Sequence, residues 1–305
     1  MGMNDTKHIL LAGATGVLGH HITRALERAG YIVLALSRAP EAAVRADLLD
    51  RDQLLRAVEG LRIDTVVHAA TALRSTPMRH KDMYATNHLR IAGTTNLMEA
   101  AQLVGARRVI CESMVFGYGY RDFDGRVLTE EDPFAAPGDT AVEPHLEGMR
   151  VKERLMLGTP GIEGISLRYG LFYGAGGTEN LVALLRKRQL PTVDDHGRVL
   201  PWVNLADAGT AVALAVEHGR PGQAYNIADD APLGFGAHVE MVAETFDTPR
   251  PLRVPGWLMK PMSYAYRVTR ADIRVSTAKA KAELGWKPQY PTVADGLRAL
   301  VAPSA

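Results

Sequence analysis

Apolar positions in this chain fall into short solid runs that alternate with stripes at helical spacing. Residues 9–12, 32–36, 65–69, 108–112 and 164–168 are runs that read as buried strands. Between them Leu54, Leu55 and Val58, and later Leu97, Met98, Ala101 and Val104, mark the apolar faces of helices. Strand and helix in turn predict a parallel sheet covered on both faces, a doubly wound α/β architecture. From Tyr118 to about Leu146 the pattern dissolves into Gly, Pro, Asp and Glu, which predicts a long loop of the kind that often carries function. Beyond Gly174 the spacing predicts a helix over 180–188, a short strand near Trp202-Val203, a helix from Asp207 and a strand over 224–227. Residues 257–284 are rich in Met, Tyr, Trp and basic side chains at helical spacing, which reads first as core packing and second as a lid over a greasy or aromatic substrate.

The first run breaks into Gly13, Gly16 and Gly19 and then into a helical pattern. Three glycines alone are only a turn. Strand, glycine turn and helix in that order form a phosphate cradle, in which the N–H groups around Thr15, Val17 and Leu18 meet a pyrophosphate at the positive end of a helix. The second run ends at Ser37-Arg38, where an NAD-binding chain usually carries an Asp or Glu for the ribose hydroxyls. A hydroxyl followed by a guanidinium suits a 2′-phosphate, so NADP(H) is preferred over NAD(H).

At 305 residues the chain can bury one large core, or a core and a smaller lobe, and a net charge of +1 supplies no long-range field for nucleic acid. The cluster Arg186-Lys187-Arg188 reads as a solvated helix face. Cys111 is the single cysteine and cannot form an internal disulfide. With neither a signal pattern nor an apolar stretch able to span a bilayer, this points to the cytoplasm and away from membranes. Met1-Gly2 followed by Thr6 formally fits an acylation pattern and is discounted, because Met3 offers an alternative start. No metal site is assigned.

Read together, these segments resemble the extended short-chain dehydrogenase/reductases, the superfamily of NAD-dependent epimerases and dehydratases. The resemblance runs nearly end to end. It rests on the glycine turn at 13–19, Ala46-Asp47-Leu48, Val67-His68-Ala69-Ala70, Asn87 with Gly93-Thr94, the block from Leu167 to Gly174, the Trp202-to-Asp207 segment, Tyr225-Asn226 and Leu284-Gly285-Trp286-Lys287-Pro288. It implies a Rossmann sheet over residues 1–173 and a smaller substrate-binding lobe over 174–305, with the chain free to cross between them. It also implies that Asp47 and Leu48 flank the adenine, that Ala69, Ala70 and Thr71 line the coenzyme, and that Tyr169, Gly170 and Leu171 pass near the nicotinamide. Met114, Tyr118, Phe172 and Tyr173 then border the substrate, with Tyr120 in a neighbouring segment.

One departure matters. In the family a Tyr and a Lys four residues later share a helix face, and the ammonium lowers the phenol's pKa so that it can exchange a proton with substrate. Taking Lys152 as that Lys puts Gly148 at the Tyr position; anchoring on Glu153 puts His145 and Met149 at the two positions. Neither register restores a phenol. The assisting Ser or Thr falls on Glu112, with Ser113 one residue later. Hydride transfer belongs to the coenzyme, so a dinucleotide site can persist without the acid. Ser113 or His145 can then donate to a carbonyl, or a substrate with its own enol or phenol can stabilise the alkoxide itself. A carboxylate at Glu112 beside a developing negative oxygen would hinder reduction, so no chemistry is assigned to it.

The expectation is an NADPH-dependent ketoreductase acting on a small aromatic or polyketide-like natural product. Such enzymes resemble the angucyclinone ketoreductases of antibiotic-producing bacteria, which also lack the Tyr-Lys pair. The alternatives are a nucleotide-sugar epimerase or dehydratase, and a non-catalytic regulator that senses NADP(H).

Overall fold

The computed structural model describes residues 7–138 and 140–302; the acylation-like start, Met1-Gly2 to Thr6, lies outside them. In chain order the elements are β1 (His8–Ala12), α1 (Val17–Arg28), β2 (Ile32–Ser37), β3 (Val44–Arg45), α2 (Arg51–Val58), β4 (Thr65–His68), α3 (Tyr84–His88), α4 (Thr94–Leu103), β5 (Arg108–Met114), β6 (Asp122–Leu128), α5 (Glu143–Gly158) and β7 (Glu163–Tyr169). There follow β8 (Leu171–Tyr173), α6 (Glu179–Arg186), β9 (Thr192–Val193), β10 (Trp202–Asn204), α7 (Leu205–His218), β11 (Gln223–Ile227), α8 (Phe235–Thr245), β12 (Arg253–Val254), α9 (Ser263–Thr269), β13 (Asp272–Val275) and α10 (Val293–Val301).

Seven strands form one parallel sheet in the order β11-β7-β5-β4-β1-β2-β3. The chain starts in the middle at β1, runs outward to β3 and returns to β4 on the other side. That reversal opens a crevice beyond the carboxyl ends of β1 and β4, where ligands bind such sheets. The solid apolar runs follow from burial of both sheet faces. Ile9 and Leu11 of β1 join Ile110, Leu167 and the α1 and α7 residues Ile22, Leu26, Ala208 and Val212. Leu10, between them in sequence, joins Val66, Val109 and Cys111 under Leu54, Leu97, Met98 and Met156 on the opposite face.

Past Gly174 the chain returns to the main sheet, since β11 pairs with β7 and α7 packs beside α1. Two small parallel pairs, β8 with β10 and β9 with β12, build the remainder with α6, α8 and α10. Trp286, fully buried, donates from Nε1 to the Asp207 carbonyl at 3.0 Å. The Asp207 carboxylate accepts the N–H groups of Gln289 and Tyr290, which pins the Leu284-to-Pro288 block to α7. Arg186, Lys187 and Arg188 are all exposed.

The stretch expected to be one loop between Tyr118 and Leu146 is not. It contains β6, which pairs in parallel with β13, and the first turn of α5. Only Phe123 and Leu128 of β6 are buried, so its pattern carries no alternation, and its partner strand lies far away in sequence. The Met- and Tyr-rich last third supplies core: Tyr264, Val268 and Ile273 pack with Phe116, Tyr120, Leu146 and Met149, and Met259 is buried. Trp257 and Leu258 of the same stretch remain exposed. Among the described residues no helix is long and apolar enough to cross a membrane.

A buried ion pair ties α5 to β7. Arg168 donates to both carboxylate oxygens of Glu153, at 3.0 and 2.7 Å, and the same carboxylate accepts Ser166 Oγ at 2.6 Å. The guanidinium also lies over the Phe134 ring and donates to the Tyr118 hydroxyl at 2.9 Å. Leaving one ion of such a pair unmatched costs about 3–5 kcal/mol. Glu153→Leu is therefore expected to lower the urea midpoint by that amount of stability, and a change under about 1 kcal/mol contradicts it.

Candidate active site

The coenzyme half of the crevice is built from backbone. Gly13 adopts φ +94°, and a Cβ there would sit 2.7 Å from the Ala69 carbonyl and Ala70 Cα, so only glycine lets β1 turn against the end of β4. A Cβ at Gly19 would overlap the Gly13 carbonyl oxygen, which brings α1 close over the turn. Gly16 caps α1 without a side chain, whereas α2 and α7 are capped by Asp50 and Asn204. Thr15 and Val17 beside it are exposed and Leu18 is half-buried. Uncapped donors at an open helix N-terminus under a close backbone turn fit a pyrophosphate.

The other coenzyme candidates collect along the same edge. At the end of β2, Ser37 Oγ accepts the Ala39 N–H at 3.1 Å. The exposed Arg38 side chain lies 3.6 Å from the Asp47 carboxylate, a solvated pair that holds it weakly. Asp47 accepts the Leu49 N–H and Leu48 is buried behind it. Ala69 donates its N–H to the Ala12 carbonyl, Ala70 its N–H toward His68 Nδ1, and Thr71 Oγ1 meets Thr86 Oγ1. Gly170 passes so close to the Pro201 carbonyl that a Cβ would overlap it.

The reactive half centres on a buried ion pair. Lys152 on α5 points its ammonium to Glu112 Oε2 at the end of β5, at 2.9 Å, and to the His68 carbonyl at 3.4 Å. Burial raises the Glu112 carboxyl, but the charges of Lys152 and Arg90 outweigh it and hold the group below its ordinary range. This decides between the two registers on α5. Lys152 faces the crevice, and Glu153 points away to Arg168. The position four residues before Lys152 is Gly148, whose missing side chain faces Asn87 and Arg90.

His145 lies in the first turn of α5 but not at the surface, where a helix-start histidine is expected: it is fully buried. Asn87 Nδ2 donates to its Nδ1 at 2.8 Å, and its Nε2 meets His80 Nδ1 at 2.9 Å. An acceptor at Nδ1 fixes the proton on Nε2, aimed at His80. Burial, then His80 and Arg90, push the His145 pKa down to about 4. With both ring nitrogens engaged and the charged form suppressed, the ring has no free N–H for a substrate carbonyl. It acts as a neutral wall, edge-on to Tyr120 and Tyr264.

Ser113, at the end of β5, is buried with its Oγ unpartnered rather than satisfying backbone. Met114, next to it in sequence, and Phe172 are half-buried, the Phe172 ring against that of Tyr169 with centroids 5.3 Å apart. The phenols expected along the substrate, Tyr118 and Tyr173, and the one expected near the nicotinamide, Tyr169, have their hydroxyls committed elsewhere. Tyr118 donates to Asn226 Oδ1, Tyr169 to the Ala208 carbonyl and Tyr173 to the Thr292 carbonyl, because each ring is buried and its hydroxyl needs a partner. Leu171 is half-buried on β8. Sequence reasoning missed Arg90, His80 and Tyr264. The signal for Arg90 is a polar stripe, Asn87, Arg90 and Thr94, on the buried side of a helix where apolar residues belong.

The family model described as the NAD dependent epimerase/dehydratase family matches residues 9–228. A 3-diazoavenalumate denitrifying reductase from Streptomyces sp. is 34% identical over 95% of this chain and 98% of its own length. A 4-hydroxy-2-methyl-3-oxo-4-farnesyl-3,4-dihydroquinoline-1-oxide ketoreductase from Stigmatella aurantiaca is 25% identical over 77% of this chain and 72% of its own. Among solved structures, a human epimerase family protein with NADPH superposes with a TM-score of 0.79 at 17% identity, covering 96% of this chain and 98% of that one. At that identity the likeness concerns the fold.

The suppressed charge on His145 has a stability consequence. Between its ordinary 6.5 and about 4 the folded chain binds fewer protons than the unfolded one, so stability is lost as pH falls through that window. His145→Gln is expected to flatten the fall in Tm between those pH values by a few degrees; an unchanged slope contradicts the assignment.

Proposed function

Because the chain belongs to the NAD dependent epimerase/dehydratase family, we propose that it is an NADPH-dependent reductase of a small, flat natural product that takes up hydride without a tyrosine acid. The observation that carries this is Gly148 standing four residues before a buried Lys152 whose ammonium is spent on Glu112. When bound, the nicotinamide supplies a hydride: on a carbonyl carbon this leaves an alkoxide that needs a proton, whereas on a ring carbon bearing a diazonium group the C–N bond breaks, its pair leaves on dinitrogen, and no proton is needed.

For a ketone the protein offers no acidic phenol. Tyr120 and Tyr264 are buried, which raises both above the ordinary phenol range. The proton then comes from an enol or phenol beside the carbonyl, held near Ser113 Oγ. The relative named as a ketoreductase supports this reading. A second reading is favoured by the more similar relative, which is named for denitrifying a diazo compound. Loss of the Glu112 charge would then leave the Lys152 ammonium unmatched beside a cationic electrophile.

NADP(H) preference rests on Ser37-Arg38 and on the weak, solvated hold of Asp47 on Arg38. Cys111, free and buried, accords with a reducing cytoplasm, where we place the enzyme in the biosynthesis of antibiotic-like compounds.

Oxidation of NADPH, followed by its absorbance with a panel of ortho-hydroxyaryl ketones and arenediazonium salts, tests the reading. Turnover with either class supports it. Tight NADPH binding without turnover across the panel overturns it in favour of a sensor. Glu112→Gln is expected to slow diazonium turnover about tenfold or more and to leave ketone turnover unslowed. Arg38→Ala is expected to weaken NADPH binding about tenfold and NADH binding little, and equal losses refute the clamp.

A further inference from the structure

Arg90 sits on a π-helical turn, Leu89–Gly93, that joins α3 to α4 in one continuous helix. Such turns widen the helix locally and re-aim a side chain. Arg90 is 7% exposed, and its Nη1 is fully buried with no hydrogen-bond partner. Its stem lies along the missing side chain of Gly148: a Cβ there would be 3.5 Å from Arg90 Cδ and 3.6 Å from its Cβ. The turn that carries it packs on α5, and its positive charge lowers the pKa of both the Glu112 carboxyl and the His145 ring.

The charges there do not cancel. Lys152 and Glu112 neutralise each other, and Arg90 takes part in no ion pair among the described residues. Asn87 Oδ1, three residues earlier on the same helix and likewise against Gly148, is also buried without a partner. A buried guanidinium without a counter-ion is costly, and a ligand that brings one removes the cost on binding.

We propose that Arg90 is the anchor for a carboxylate carried by the substrate, on a flat aryl skeleton that lies against Tyr120, Tyr264 and the His80–His145 stack. A neutral ketone would leave the charge unmatched in the ground state, so the anion is a fixed part of the substrate rather than the oxygen formed by reduction. The fork of a guanidinium matches a carboxylate with two charge-assisted hydrogen bonds. With one cation unpaired, a single negative charge suffices, which favours a carboxylate over a phosphate. The inference rests on the reductase reading and names its substrate class.

Calorimetric titration of the NADP+-saturated protein with benzoate and trans-cinnamate, against benzamide and trans-cinnamamide, tests it without turnover. At least one acid is expected to bind about tenfold or more tightly than its amide. Arg90→Met is expected to bring the two within about twofold, and Arg90→Lys, which keeps the charge but loses the fork, to retain part of the preference. The proposal is overturned if neither acid binds, if acid and amide bind the natural protein alike, or if Arg90→Met keeps the preference. Coenzyme titration of the same samples separates the outcomes: failure to bind NADP+ or NADPH sinks the reductase reading, while intact coenzyme binding without acid preference sinks this one alone.

Discussion

An ammonium buried beneath the end of a parallel sheet must have a counter-charge, and Glu112 supplies it to Lys152. The rest of the reactive site depends on that pairing. Where the ammonium faces a phenol, its charge is free to make the phenol acidic. Here it is consumed at 2.9 Å by a carboxylate, and the helix position that would present the phenol is empty of side chain. The vacated groove is filled by the stem of Arg90, so the region keeps a positive charge but exchanges a proton donor for a group that never gives up its proton at ordinary pH.

The two halves of the crevice answer to different constraints. On the coenzyme side the decisive contacts are backbone to backbone: Gly13 against Ala69 and Ala70, and Gly19 against Gly13. Any side chain there breaks the approach, whatever its chemistry. The reactive side is assembled from side chains on separate elements, with Asn87 and Arg90 from the α3–α4 helix, Glu112 from β5, His145 and Lys152 from α5, and Tyr264 from α9. The first half can therefore keep its form while the second is re-equipped.

This difference also governs what was legible in the sequence. The glycine turn, the strands of the main sheet and the helical stripes were readable because each is a local pattern with a single geometric cause. The strand β6 was not, since five of its seven residues are exposed and its partner lies in the last third of the chain. The alternative registers of Lys152 and Glu153 could not be separated by spacing either; the Glu153–Arg168 pair separates them, because it turns one neighbour away from the crevice and leaves the other facing it. Tyr118, Tyr169 and Tyr173 fell in the expected segments, yet their hydroxyls satisfy Asn226, Ala208 and Thr292. A sequence names the ring but not the partner that its oxygen must find.

The neutrality of the histidines completes the electrostatic argument. Were His145 protonated, a second cation would stand beside Arg90, and the hydrogen bond from Asn87 Nδ2 would point at an N–H instead of a lone pair. Burial, with His80 and Arg90 alongside, suppresses that state in His145, and burial with Arg267 does the same in His80. Their stacked rings, 5.1 Å apart, therefore form an apolar wall joined by one internal hydrogen bond. In the cluster of Glu112, Lys152, His80, His145, Tyr120, Tyr264 and Arg90, the unmatched charge is then localised on a single guanidinium beside a group of packed aromatic rings. A planar anion meets both demands at once, charge at the guanidinium and ring area along the wall, whereas a neutral or strongly hydrated ligand meets at most one.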